Sequence, residues 1–221
     1  MGWFRKLWNC NYMKGCENLP TLNPVGGQGC MVDDLGGLKA YIAGPSDSKL
    51  AILLVSDVFG YEVPNLRCVS DKVTAAGFFG IVPDFLYGDP YVPYQKPIKT
   101  WIESHGPDKV FEDAKLVIEA LKNKGVSAIG AAGFCWGAKV VAELAKSDNI
   151  KSAVMLHLSF VTVDDIKEVK CHIAILGAEI DESSPPELLK QFEEILSPKS
   201  EVGKFLKDLS CHSFCMLFGD P

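Results

Sequence analysis

Arginine is almost missing from this chain: only Arg5 and Arg67 occur among 221 residues, and the formal net charge is −6. Such a surface lacks the basic stripe that a phosphate backbone requires, which excludes nucleic acid as a partner. Long apolar runs are missing as well. The longest are of strand length, well below the roughly 20 residues that span a bilayer, so no membrane segment is predicted. The N-terminal stretch carries Arg5 and Lys6 but no continuous apolar core, which argues against a secretory leader. Lys6 also stands where a myristoylation signal after Met1-Gly2 needs Ser or Thr. No Cys-x-x-Cys occurs, so a thioredoxin-type role is excluded. The 8 cysteines are irregularly spaced in a chain that is 48% hydrophobic. Such a chain can bury one large core without crosslinks, so reduced thiols and a cytoplasmic location are expected. Cys171-His172 and Cys211-His212-x-x-Cys215 lack the spacing of a zinc finger, and neither a metal nor a cofactor is predicted.

What is present is organised as alternating strands and helices with no internal repeat. Leu50 to Val55 is a continuous apolar run, as expected of a strand covered on both faces. Val63 to Ala76 places Leu66, Val69, Val73 and Ala76 at helical spacing, and Phe78 to Val82 is the next strand. Pro83 to Pro97, rich in proline and tyrosine, reads as a long functional loop at that strand's carboxyl end. Asp108 to Lys124 is a second amphipathic helix. Ile150 to His157 and Cys171 to Gly177 are further strands, joined through a short helix near Val163 to Val169. Ser184 is placed to cap a helix beginning at Pro185-Pro186. This alternation implies an α/β fold with a doubly wound, mostly parallel sheet. Ligands then bind at the carboxyl ends of the strands, where Asp57, Tyr87, Cys135, His157 and Asp181 gather.

The most informative stretch is Ala131-Ala132-Gly133-Phe134-Cys135-Trp136-Gly137-Ala138-Lys139. It sets a cysteine inside Gly-x-Cys-x-Gly, between the strand-like Val126 to Ala132 and the helix formers of Ala138 to Ala145. A strand, a sharp turn and a helix lift the nucleophile over the sheet edge, and the flanking glycines leave room for the strained turn. A helix N-terminus behind the sulfur favours thiolate and offers backbone N–H groups to an oxyanion. A cysteine between glycines is also what a tight packing point looks like. Order along the chain decides between the two: after Cys135 come a strand ending in the loop carboxylate Asp181, and then His212. That is the nucleophile, acid, histidine order of α/β-hydrolases. His212 lies 31 residues after Asp181. His157, at a strand end, reads as a hydrogen-bonded structural residue rather than a base, and His105, beside Gly106 and Pro107, as a solvated one.

These segments, with Pro20-Thr21-Leu22-Asn23-Pro24, Ser56-Asp57-Val58-Phe59-Gly60-Tyr61-Glu62, Pro83-Asp84-Phe85-Leu86-Tyr87-Gly88-Asp89-Pro90 and Ile175-Leu176-Gly177-Ala178-Glu179-Ile180-Asp181, resemble the dienelactone hydrolase family (carboxymethylenebutenolidase-like), in particular its plant branch. The resemblance implies an α/β-hydrolase fold over residues 17–221, preceded by an atypical arm at 1–16. It also implies a cysteine–histidine–aspartate triad falling on Cys135, His212 and Asp181. A carboxylate that helps activate the thiol in the family maps to Asp57, a residue that reads equally well as a cap of the next helix.

The expected chemistry follows from those roles. His212 takes the thiol proton, Asp181 orients the imidazole, and the thiolate attacks an ester or lactone carbonyl to form an acyl-thioester. The backbone N–H groups of Trp136 and Val58 hold the oxyanion. The arginine clamp that bacterial family members use for a substrate carboxylate has no counterpart in Tyr87-Gly88-Asp89 or Phe214-Cys215-Met216. The expected partner is therefore a small ester or lactone that is uncharged or differently anchored. The chain stops nine residues after His212, where the family continues with a final helix. A missing helix predicts either reduced stability or a homodimer over the bare patch. Two other readings stay open: a hydrolase-fold binding protein with weakened catalysis, and a glycoside hydrolase using Asp57 and Asp181 as paired acids.

Overall fold

The computed structural model describes residues 27–93, 95–177, 181–199 and 203–207. The arm assigned to 1–16, His212 and the end expected to be shortened lie outside these residues. Eight strands form one sheet in the order β1-β2-β4-β3-β5-β6-β7-β8. They are β1 (Cys30–Leu35), β2 (Leu38–Ala43), β3 (Leu50–Val55), β4 (Phe79–Pro83), β5 (Ala128–Phe134), β6 (Ser152–Leu156), β7 (His172–Gly177) and β8 (Gly203–Lys207). β1–β2 and β2–β4 pair antiparallel, and every pair from β4 through β8 is parallel. The doubly wound, mostly parallel arrangement expected from the alternation is therefore present. The antiparallel β1–β2 hairpin was not read from the sequence.

The helices are α1 (Pro64–Ala75), α2 (Ile98–Ser104), α3 (Pro107–Asn123), α4 (Trp136–Ala145), α5 (Val163–Lys167) and α6 (Pro186–Leu196). The long loop after β4 is found, but it closes with α2, whose Trp101 is fully buried. Strand alternation splits the sheet into two faces. Ala51, Leu53 and Val55 of β3, Ile129 and Ala131 of β5, and Ala153 and Met155 of β6 share one core with Val117 and Leu121 of α3 and Val140, Val141 and Leu144 of α4. The alternate residues Leu54, Phe134 and Leu156 join a smaller cluster on the other face with Leu66. Of the described helices, α1 alone contributes to that second cluster. Among the described residues no helix is long and apolar enough to cross a membrane.

Parallel register brings the strand ends level. Val55 of β3 pairs with Gly133 of β5, and Phe134 of β5 pairs with Leu156 of β6. The loops that leave β3, β5 and β6 consequently open side by side at one sheet edge. The start of α4 sits hard against the end of β3: a Cβ on Gly137 would meet the carbonyl oxygens of Ser56 at 2.3 Å and Val55 at 2.5 Å. Both obstacles are backbone, so neither can swing away. Gly137→Ala should therefore force α4 off β3 and destabilise the domain by about 1–3 kcal/mol or more. Urea unfolding of the two proteins checks this, and equal midpoints with equal slopes would show that the helix can shift without cost.

Candidate active site

Cys135 follows the last residue of β5 and caps α4 with φ 51° and ψ −112°. This positive-φ backbone lies outside the regions open to residues with a Cβ and costs roughly 1–3 kcal/mol. Close packing imposes it, since a Cβ on Gly133 would lie 2.4 Å from the carbonyl oxygen of Gly137. Two hydrogen bonds then lock the turn to the loop after β6. The Cys135 N–H donates to the Leu156 carbonyl at 3.0 Å, and the Ser159 N–H donates to the Cys135 carbonyl at 3.2 Å. The sulfur is partly exposed and lies 3.3 Å from the Ser159 hydroxyl oxygen. The predicted elbow is thus present, at the end of a strand that lies two residues later than the apolar run suggested. The four described cysteines, Cys30, Cys68, Cys135 and Cys171, are all free thiols.

Strain concentrates at this edge. Among the described residues the non-glycine positions with positive φ are Tyr87, Cys135, His157 and Phe160, and they lie in the loops that leave β4, β5 and β6. Strained backbone persists only where its surroundings over-determine it, a condition typical of working sites. The β6 loop is over-determined in this way. Its Thr162 forms a capping box with Asp165 at the start of α5. Asp165 in turn receives Lys139 at 2.8 Å and Lys146 at 2.7 Å from α4. Burial alone would raise the Asp165 carboxyl, but the two ammonium groups hold it well below the usual carboxylate range.

Two further carboxylates reach the edge and experience opposite fields. Asp57, just after β3, is buried and accepts a hydrogen bond from the Phe59 N–H at 2.9 Å. Desolvation pushes its pKa from 3.8 up to about 6, against the smaller opposing pull of the Phe59 N–H and of charge on His157. Asp57 does not cap α1, whose N-cap is Val63. Asp181, after β7, is just as buried but richly bonded. Its Oδ1 accepts from the backbone N–H groups of Ser183 at 2.8 Å and Ser184 at 3.3 Å. Its Oδ2 accepts from the Ser184 hydroxyl at 2.7 Å and lies 2.5 Å from Nδ1 of His157. Burial raises its pKa, yet the His157 and Ser184 hydrogen bonds win and hold it at about 2.

The structure corrects several expectations. Ser184 does not cap α6, where Pro185 is the N-cap and no side chain caps; its hydroxyl serves Asp181 instead. His157 is hydrogen-bonded, as its place at a strand end suggested, and its partner is Asp181; the role expected of His212 falls outside the described residues. Tyr87 shares the edge, but its hydroxyl donates to Asp113 of α3 at 2.6 Å rather than facing the thiol. His105 is not solvated: it stacks on Trp101 at 4.0 Å and reaches Asp89 at 3.2 Å. Trp136 Nε1 donates to the His105 carbonyl at 2.9 Å, and the Tyr91 N–H donates to the Val58 carbonyl at 2.8 Å. These bonds fasten the end of α2 beside Trp136 and the long β4–α2 loop beside Val58, the two residues expected to form the oxyanion hole. Trp136 is the first residue of α4, so its N–H is among the donors without an intrahelical acceptor. Ser159 and the Trp101–His105 stack carried no sequence signal, because each acts through contacts made only after folding. Among the described residues no group of three or more His, Cys, Asp or Glu side chains is placed to hold a metal ion.

A cysteine elbow at the carboxyl edge of a mostly parallel sheet, with an ordered carboxylate two strands away, defines an α/β-hydrolase architecture. The dienelactone hydrolase family model matches residues 38–214, and the chain belongs to that family. It is 46% identical to an endo-1,3;1,4-beta-D-glucanase of Zea mays over 79% of this chain and 57% of the maize protein, so it spans little more than half of that relative. It is 32% identical to a carboxymethylenebutenolidase homolog of Xenopus tropicalis, over 75% of this chain and 70% of the frog protein. A putative dienelactone hydrolase from Klebsiella pneumoniae has the same fold, with TM-score 0.66 and 20% identity over 77% of this chain and 79% of its own. So does a dienelactone hydrolase-like promiscuous phosphotriesterase from metagenomic libraries, with TM-score 0.62 and 17% identity over 81% of this chain and 80% of its own.

The split between the two carboxylates makes a testable prediction. The folded-state pKa of Asp57, about 6, exceeds its ordinary 3.8, so the folded chain holds this proton more tightly than the unfolded one. Its burial is tolerated below about pH 4 and costs increasing stability up to about pH 6, reaching about 3 kcal/mol above that. Asp57→Asn should therefore gain on the parent across pH 4–6 and keep a constant lead at higher pH. Melting temperatures measured from pH 3.5 to 8 check the sign, and parallel curves would mean that Asp57 pays no burial cost.

Proposed function

We propose that this chain hydrolyses small activated esters or lactones with Cys135 as nucleophile. The observation that carries the reading is the Cys135 turn itself. A strained backbone, close-packed glycines and two backbone hydrogen bonds present a partly exposed sulfur at the start of a helix. An imidazole held by Asp181 takes the thiol proton and the thiolate adds to the carbonyl carbon. The N–H groups of Trp136 and Val58 receive the oxyanion; collapse expels the alkoxide, which takes the proton back, and water then releases the acid from the thioester. A thiolate expels good leaving groups readily and is poorly suited to amides, so activated esters and lactones fit it best. Asp57, neutralised by burial at mildly acidic pH, sits beside the imidazole and would tune the resting charge of the site.

Endoglucan hydrolysis is a second reading, favoured by the activity named for the maize relative and by two carboxylates with separated pKa values, one raised and one lowered. A pair of that kind suits an acid and a nucleophile or base at a sugar. Against it, glucan hydrolysis leaves the strained cysteine without a role. A binding protein on the same fold likewise needs no nucleophile.

Cys135→Ala separates all three. Hydrolysis of p-nitrophenyl acetate should fall by about 10³-fold or more, the melting temperature should stay near that of the parent, and the thioester adduct seen by intact mass should vanish. Undiminished ester turnover in this variant would remove the nucleophile. Release of reducing sugar from a mixed-linkage β-glucan, unaffected by the substitution, would favour the glucanase reading.

A further inference from the structure

We propose that the Ser159 hydroxyl is a catalytic hydrogen-bond donor to the Cys135 sulfur, stabilising the thiolate before it attacks the ester and again when it leaves the acyl-enzyme. This rests on the reading of Cys135 as nucleophile. The geometric basis is a double contact between two residues 24 positions apart in the chain. The Ser159 hydroxyl oxygen lies 3.3 Å from Sγ, and the Ser159 N–H donates to the Cys135 carbonyl at 3.2 Å. The backbone bond sets Ser159 against the elbow, so the hydroxyl is already in place when the sulfur gains charge.

The loop that presents Ser159 is held on both sides of it. Leu158 and Val161 are buried in the main core, and the His157 N–H donates to the Leu176 carbonyl at 3.1 Å. His157 at φ 48° and Phe160 at φ 65° bracket Leu158 and Ser159. Between these two strained residues Ser159 turns inward and is buried, while the Phe160 side chain stays exposed. Further along, the Thr162–Asp165 capping box and the bonds from Lys139 and Lys146 attach the loop to α4, the helix that begins at the elbow. Strain retained on both sides of one buried hydroxyl marks a placement that the surroundings enforce.

The chemistry of the pair favours one charge state. A neutral thiol is a weak donor and a weak acceptor, so a buried hydroxyl gains little by facing it. A thiolate accepts strongly, because hydrogen bonds to ionised groups are roughly twice as strong as neutral ones. The serine hydroxyl can accept from S–H and then, by turning about its Cβ–Oγ bond, donate to the thiolate with no heavy atom moving. The contact therefore strengthens as the thiol proton passes to the base and weakens as the sulfur shares its electron pair with the carbonyl carbon. In the second half of the reaction, water adds to the thioester carbonyl and gives a proton to the base. The carbon–sulfur bond then breaks, its electron pair returns to the sulfur beside the same hydroxyl, and the proton on the base restores the thiol. Ser159 keeps its own proton throughout.

The test uses the full chain and two readouts, one of them independent of ester binding. Ser159→Ala removes the hydroxyl and keeps the backbone bond to Cys135. Iodoacetamide alkylation of Cys135, followed by peptide mass mapping, should slow by about tenfold at pH 7. At pH 10 it should stay within about threefold of the parent, because a thiol of ordinary acidity, about 8.5, is ionised there without help. Asp57 after β3, Tyr87 after β4, His157 after β6 and Asp181 after β7, titratable groups at the same sheet edge, are left in place, so the difference between the two proteins reports the hydroxyl. The variant should also lose about tenfold or more in kcat/KM for p-nitrophenyl acetate, at a melting temperature near that of the parent. Ser159→Thr, which returns a hydroxyl, should recover part of both losses. The assignment is overturned if Ser159→Ala keeps the parent's rates, or if alkylation slows equally at pH 7 and pH 10, which would make Ser159 a packing residue. Failure of the nucleophile reading looks different: Cys135→Ala would then retain ester turnover, whatever the Ser159 variants do to alkylation.

Discussion

Everything at the working edge depends on how closely α4 approaches the end of β3. With no side chain at Gly137, the helix backbone comes within van der Waals contact of the Val55 and Ser56 carbonyls, and with none at Gly133 the strand can turn directly beneath it. Cys135 is the residue left between these two contacts, and its positive φ follows from them. The strain is retained because the alternatives would part the helix from a core that includes the fully buried Trp136, Val140 and Val141. Burial of those side chains, at about 1.5–3 kcal/mol each, exceeds the cost of one strained residue.

The same edge shows how burial and bonding combine to give two aspartates opposite characters. Asp57 and Asp181 are nearly equally hidden from solvent. Asp57 gains one backbone donor beyond its own residue and the neighbouring charge of His157, too little to offset desolvation, so it holds its proton into mildly acidic pH. Asp181 gains two backbone donors, a hydroxyl and an imidazole, and stays ionised. An ionised acceptor of this kind orients the imidazole beside it, whereas a half-bonded buried carboxyl is suited to changing charge.

Around this centre the loops are tied down by specific partners instead of by regular structure. The β6 loop is pinned by the Thr162–Asp165 capping box and by two lysines of α4. The β4–α2 loop is pinned by the Trp101 indole on the Asp89 carbonyl and by the Tyr91 N–H on the Val58 carbonyl, and the end of α2 by the Trp136 indole on the His105 carbonyl. The β6 loop and α2 are thus both tied to α4, so the helix that carries the elbow also aligns the walls beside it.

The sequence by itself determined the sheet, the elbow and the family. Apolar runs of strand length, helical spacing in Val63 to Ala76 and Asp108 to Lys124, and glycines two residues either side of Cys135 are local signals, and local sterics translate them directly into structure. The hairpin of β1 and β2 was not legible, because Met31 and Asp33 face solvent there and leave only a weak alternation. Nor was α2, whose burial rests on one tryptophan. Which imidazole meets Asp181, and that Ser184 serves a carboxylate rather than a helix end, were decided by tertiary structure alone. His157 and Asp181 stand 24 residues apart in the chain and 2.5 Å apart in space. No periodicity encodes that meeting; it follows from β6 and β7 lying side by side in parallel register, which only the assembled sheet specifies.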